Sequence, residues 1–182
     1  MAVIITIMVF QIEVPKGGSF HDLVPILPRL LIYAVSFVVI GTYWNNHHHL
    51  LRAAKNISTA VMWANLLLLF FLSLIPFVTA WFGNHPATKD PTAAYGAILL
   101  ACGFAYSILL RSIVASNRHN PKLREAVGSD IKGVISVGSY ILAVALAFVA
   151  PWVSIVIYGV GAFIWFIPER RLEPVHTQPP KH

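Results

Sequence analysis

Charge is the first thing this sequence is short of. Charged side chains make up 11% of its 182 residues, against about 25% in ordinary soluble domains. So little polar sequence leaves no room for a soluble catalytic domain. No Ser-His-Asp set, pair of carboxylates or phosphate-cradling loop stands at a workable position, so neither an enzymatic activity nor a cofactor is expected. The single cysteine, Cys102, lies in an apolar run and excludes an intrachain disulfide. The net charge of +6 comes without a lysine-rich run or a basic stripe interleaved with aromatics, so nucleic acid is not an expected partner. Ionisable residues near mid-membrane and repeated broken helices are also missing, which argues against a secondary transporter.

What is present is hydrophobic sequence. Apolar residues are 57% of the chain and its mean hydropathy is +0.72, so the reading is an all-α, polytopic membrane protein. The hydropathy pattern predicts six spans. The first, Met1 to Pro15, is apolar up to Phe10 and has no basic n-region, so it does not read as a cleavable signal peptide. Fifteen residues reach only about 22 Å, less than the roughly 30 Å hydrocarbon core. Either this helix is unusually short, or it is truncated and Met1 is an internal methionine of a longer protein. The second span runs from Leu30 to Trp44, with Leu23 to Leu27 as a possible extension, and ends in Asn45, Asn46 and His47 to His49. The third covers Ile57 to Phe82 with Pro76 inside it, where the missing amide predicts a bend. The fourth, Ala93 to Val114, carries small residues that allow close helix contact. The fifth and sixth, Gly133 to Ala150 and Trp152 to Ile167, share one apolar run broken by Pro151. Residues 1–167 are thus one six-span unit, and the proline-rich tail 168–182 is expected to be disordered.

Lys and Arg distribute unevenly over the loops. Ten fall on one side, among them Arg52, Lys55, Arg111, Arg118 and Arg170, and three, Lys16, Arg29 and Lys89, on the other. The positive-inside rule then puts both termini in the cytoplasm. On the first span, Val3, Ile7 and Phe10 form an apolar stripe at helical spacing, with Thr6 one position to the side. Such a stripe can pack on neighbouring helices, or it can form rings that line and gate a pore. Glu13, at the end of the span, is either a solvated terminus or an acid that concentrates cations at an outer mouth. Asn65 and Ser73 suit interhelical hydrogen bonds. His47 to His49 is too isolated from the other histidines to read as a metal site, and fits an interfacial polar cap better.

The first span, the run Leu27-Pro-Arg-Leu-Leu-Ile-Tyr-Ala-Val-Ser-Phe-Val-Val-Ile-Gly-Thr-Tyr-Trp-Asn-Asn-His-His48, and Trp63 to Thr79 together resemble the bacterial members of the transmembrane protein 175 family of potassium channels. The specific motifs lie in spans one to three, and the last three spans match in hydropathy. The resemblance implies a homotetramer in which the first helix of each subunit lines a potassium-preferring, leak-type pore in the lipid bilayer of the cell membrane. It places the constriction on Val3, Ile7 and Phe10 and a pore-proximal hydroxyl on Thr6. No Thr-Val-Gly-Tyr-Gly filter is present, and Val137-Gly138-Ser139-Tyr140 is only a loose echo of one. The resemblance also implies a polar network in which Trp44, His47, Asn65 and Ser73 bond to an Arg and a Phe-Ser-Asp at the start of the first helix. Those residues would precede Met1, and the alternative reading is a non-conducting scaffold or a defective fragment of such a channel that keeps the fold without a complete pore. The expected outcome of sequencing the gene upstream of Met1 is therefore in-frame codons for Arg and Phe-Ser-Asp; their absence would remove the case for a longer product.

Overall fold

The structure is a computed structural model that describes residues 2–15, 17–117 and 131–166. Within them the chain forms six α-helices and one 3-10 helix, in the order α1 (Ala2–Phe10), the 3-10 helix (Phe20–Ile26), α2 (Leu27–Ala53), α3 (Thr59–Asn84), α4 (Lys89–Ser116), α5 (Ile131–Ala147) and α6 (Pro151–Phe166). The helices are consistent with the six expected spans. The stretches containing α2, α3 and α4 are long and apolar enough to cross a bilayer, while α5 and α6 are shorter apolar helices. The tail 168–182 and most of the basic loop after α4 lie outside the described residues.

Local signals explain where the helices start. Ser19 accepts a hydrogen bond from the His21 amide at 3.2 Å, and the Ser19 amide donates to Asp22 at 2.9 Å. This reciprocal cap starts the 3-10 helix, which hands over to α2 at Pro28, a residue suited to a first helical turn because it has no amide proton to satisfy. Ser58 caps α3, accepting from the Val61 amide at 3.4 Å. Pro76 is accommodated within an unbroken α3.

One boundary differs from the sequence expectation. The polar run Asn45 to His49 does not end α2, which continues to Ala53. Helical backbone bonds are closed within the segment, so a polar run can stay helical when its side chains find partners. Here His47 finds one on α3, as described below.

The bundle is built around α4. It pairs extensively with α3 on one side and with α5 on the other; α5 and α6 form a hairpin, and α6 returns against α2. The core includes Ile40, Leu68, Leu72, Ile75, Leu99, Leu109 and Ile113. Several polar groups inside it are paired. Thr79 donates to Ser36 at 2.9 Å, and Ser36 lies 2.9 Å from the Tyr95 hydroxyl, so three hydroxyls tie α3, α2 and α4 together. Tyr158 of α6 donates to the Thr92 carbonyl of α4 at 3.2 Å, and its ring meets Tyr95 edge-on at 5.5 Å. At the end of α4, Asn117 accepts from the Lys55 and Asn56 amides at 3.0 and 2.9 Å and donates to the Asn56 and Ile113 carbonyls. That side chain pins the α2–α3 loop to α4.

The small residues of α4 include one that the packing demands. A Cβ on Gly96 would collide with the Tyr158 hydroxyl and stand 2.8 Å from Val144 Cγ2. We expect Gly96→Ala to cost about 1–3 kcal/mol through overpacking and to lower the thermal unfolding midpoint in detergent. Gly41→Ala, where nothing lies within 4 Å of the added carbon, should leave it unchanged or slightly raised. Equal midpoints for Gly96→Ala and the native chain would contradict this packing.

Candidate functional site

The short helix α1 packs mainly along α3 and touches α2 less. Its two faces have opposite fates. Met8 is only 1% exposed and belongs to the core, and Ile4 and Ile5 pack against that core. On the other side Val3 is 69% exposed, Ile7 46% and Phe10 83%, and Thr6 is exposed with them. Positions 3, 6, 7 and 10 fall on one side of an α-helix, and 4, 5 and 8 on the opposite side. The stripe singled out from spacing is thus turned mostly outward from the single chain, with Ile7 the most covered of the three. Val9 lies off this stripe and is also exposed.

After α1 the chain turns through residues 11–15. There the Glu13 carboxylate accepts a hydrogen bond from Arg29 Nη1 at 2.7 Å, which forms an ion pair at the surface. Glu13 is therefore not an unpaired acid. Its charge is offset by a base at the start of α2, a pairing across sixteen positions that spacing along the sequence does not reveal. An exposed pair of this kind contributes little to stability, but it tethers the exit of α1 to α2.

At the opposite end of α2 the structure brings together two of the four residues expected in an interhelical polar network. His47 Nε2 lies 2.6 Å from Asn65 Oδ1 on α3. A carbonyl oxygen can only accept, so Nε2 carries the proton. The other two are placed differently. Ser73 is exposed, and its hydroxyl donates to the Phe70 carbonyl one turn back on its own helix at 2.7 Å. Trp44 is half exposed and stacks on His48, with ring centroids 5.8 Å apart and planes 19° apart. Both find their contact on their own helix, Ser73 through the local hydrogen bond that a helical hydroxyl can make and Trp44 through a ring stack. The three adjacent histidines diverge, with His47 bonded to Asn65, His48 stacked on Trp44 and His49 meeting His48 edge-on.

Sequence reasoning missed the hollow between α2, α4, α5 and α6. It is lined by Thr42, Tyr43, Asn46, Ser107 and Tyr140, among others, and measures about 50 Å³. The available signal was the presence of Tyr43, Tyr106 and Tyr140 inside apolar spans; only the bundle shows that they converge.

The His47–Asn65 contact joins the two helices that flank α1, and it can be measured directly. Interhelical hydrogen bonds in membrane proteins average about 0.6 kcal/mol, with a maximum near 1.7. A double-mutant cycle of His47→Ala and Asn65→Ala in a denaturant titration should show a coupling within that range. Additive effects of the two substitutions would mean that the contact contributes nothing.

With this geometry described, likenesses to known proteins can be set beside it. The profile of the family described as endosomal/lysosomal potassium channel TMEM175 matches residues 1–76, which take in α1, α2 and most of α3. A potassium channel of Chryseobacterium sp. (strain P1-3) is 45% identical over 95% of this chain and 90% of its own length. A potassium channel of Streptomyces collinus is 29% identical over 90% of this chain and 85% of its own. The crystal structure of a lysosomal potassium-selective channel TMEM175 homolog from Chamaesiphon minutus superposes with a TM-score of 0.78 at 27% identity, covering 90% of this chain and 89% of that one. The chain belongs to the TMEM175 family of potassium channels.

Proposed function

We propose that four copies of this chain surround a common axis with α1 innermost and form a leak-type pore that prefers K⁺ to Na⁺. The observation that carries this reading is the two-faced character of α1. The face holding Met8 is buried in the core, while Val3, Thr6, Ile7 and Phe10 point away from their own subunit. One chain presents a single such helix and cannot enclose a passage with it. Several copies related by rotation can, and closed cyclic symmetry is the usual way for identical subunits to do so.

In this arrangement each apolar residue of the stripe contributes one ring to the constriction. Such rings gate by narrowing and by expelling water, because an ion stripped of its hydration shell meets few dipoles there. Thr6 would supply the nearby hydroxyl oxygen toward a partly dehydrated ion. K⁺ holds its hydration shell less tightly than Na⁺, so a passage that strips some water and returns only a few oxygens favours K⁺ moderately. Glu13 stands at the outer mouth with its charge offset by Arg29, which softens its pull on cations. The His47–Asn65 contact sits toward the other, cytoplasmic end. The excess of Lys and Arg on that side supports a cell-membrane protein with both termini in the cytoplasm.

Liposome flux tests the reading. The purified chain should carry K⁺ faster than Na⁺. Ile7→Asn, which places an amide in one of the constriction rings, should raise the rate or reduce the K⁺ preference by about tenfold, the effect of removing roughly 1.4 kcal/mol from a barrier. Absence of K⁺ flux from both proteins would overturn the proposal and favour a non-conducting scaffold.

A further inference from the structure

The hollow between α2, α4, α5 and α6 lies away from α1 and has walls unlike the rest of the core. Its lining combines the apolar Val39 and Ala162 with hydroxyl and amide groups from three helices. Tyr140 is only 7% exposed, yet its hydroxyl makes no hydrogen bond to another described residue, and the same holds for the Tyr43 hydroxyl and the Asn46 amide. These are three donors facing a hollow in a membrane bundle, where an unpaired polar group is costly. The acceptors are arranged in a complementary way. Thr42 donates to the Val38 carbonyl at 2.9 Å and Ser107 to the Gly103 carbonyl at 3.0 Å. Each has thus committed its proton to its own helix and keeps only oxygen lone pairs for an occupant.

The lining residues carry no formal charge, so the walls favour a neutral occupant. It should offer an acceptor to the tyrosines and Asn46 and a donor to Thr42 or Ser107, which a hydroxyl group does at a single atom. Gly103 is part of the lining, and a Cβ there would stand 3.6 Å from the Tyr43 hydroxyl, an ordinary contact. A single carbon thus fits at that wall, while a larger side chain would take up space in the hollow. The hollow is about 50 Å³ and only partly enclosed. A water needs roughly 10–15 Å³ of such space, so about three to five would fit, or a two- to three-carbon alcohol in their place. We propose that this hollow is a binding site for a small neutral hydroxyl compound, either a free short-chain alcohol or the hydroxyl end of a glycerolipid. The proposal does not depend on how the channel conducts.

The test uses the full chain in phosphatidylcholine nanodiscs with 3-fluorotyrosine at its six tyrosines, assigned by single Tyr→Phe variants and titrated with 1-propanol. We expect saturable fluorine shifts at Tyr43 and Tyr140, with Tyr33 following only the linear change of the bulk membrane. Gly103→Val should weaken the apparent affinity by about tenfold or more, and Gly103→Ala, whose added carbon is tolerated, by about two- to threefold. The milder variant keeps the test decisive if Gly103→Val does not fold. If dioctanoylglycerol in the nanodisc reproduces the shifts and competes with 1-propanol, the occupant comes from lipid. If 1-propanol alone acts, it comes from water. Linear shifts of equal size at all tyrosines, or one affinity shared by the native chain and both Gly103 variants, would overturn the proposal and leave the hollow to water.

Discussion

Inside a bilayer a polar group has no water to turn to, and this chain meets that constraint with hydroxyls that bridge helices. Thr79, Ser36 and Tyr95 form a buried chain across α3, α2 and α4. Hydrocarbon packing alone gives little preference for one helix neighbour over another, because lipid tails are as apolar as the side chains they compete with. Hydrogen bonds at one register do give that preference. The three hydroxyls set how α2, α3 and α4 lie against each other. Tyr158 extends the arrangement to α6 through the Thr92 carbonyl, and Gly96 makes room for its ring. Asn117 closes the same three-helix unit at its end.

That unit is the platform on which α1 rests. A nine-residue helix is too short to be stable in isolation and depends on the surface that receives it. It is anchored by Met8 through one face only, while Glu13 and Arg29 tether its exit. The opposite face is apolar apart from Thr6 and remains uncovered by the chain itself. The functional reading follows from this division of labour. A rigid bundle of longer helices holds a short one so that its bare stripe faces away, and a family whose members are named potassium channels supplies the context in which such a stripe can line a passage.

Much of this was legible in the sequence, for physical reasons that also explain the gaps. The six helices could be read because apolar runs separated by polar or proline-bearing breaks have few alternatives to helix in a bilayer, although among the described residues only α2, α3 and α4 lie in stretches of full membrane length. The two faces of α1 were readable as periodicity, since Val3, Ile7 and Phe10 recur at helical spacing, although spacing alone could not say whether the stripe pointed into the subunit or away. The end of α2 was misplaced because Asn45 to His49 looks like a membrane surface, and its continuation depends in part on Asn65, eighteen positions from His47. Ser73 looked like interhelical glue, but a hydroxyl in a helix can always turn to a carbonyl one turn back. The Ser19–Asp22 cap carries a Ser-x-x-Asp pattern that the reading of the sequence did not single out. The Asn117 clamp and the tyrosine-lined hollow could not be read at all, since each exists only when distant segments meet.

The central claim is that the stripe on α1, and not its neighbouring positions, faces the ion path. The most direct measurement is thiol block of K⁺ flux in a background where the buried Cys102 is replaced by alanine. Cysteines introduced singly at Val3, Ile7, Phe10 and Val9 would each be exposed to a small water-borne thiol reagent. The account predicts block at positions 3, 7 and 10 and persistent flux at 9; block at 9 with unimpeded flux at 7 and 10 would contradict it.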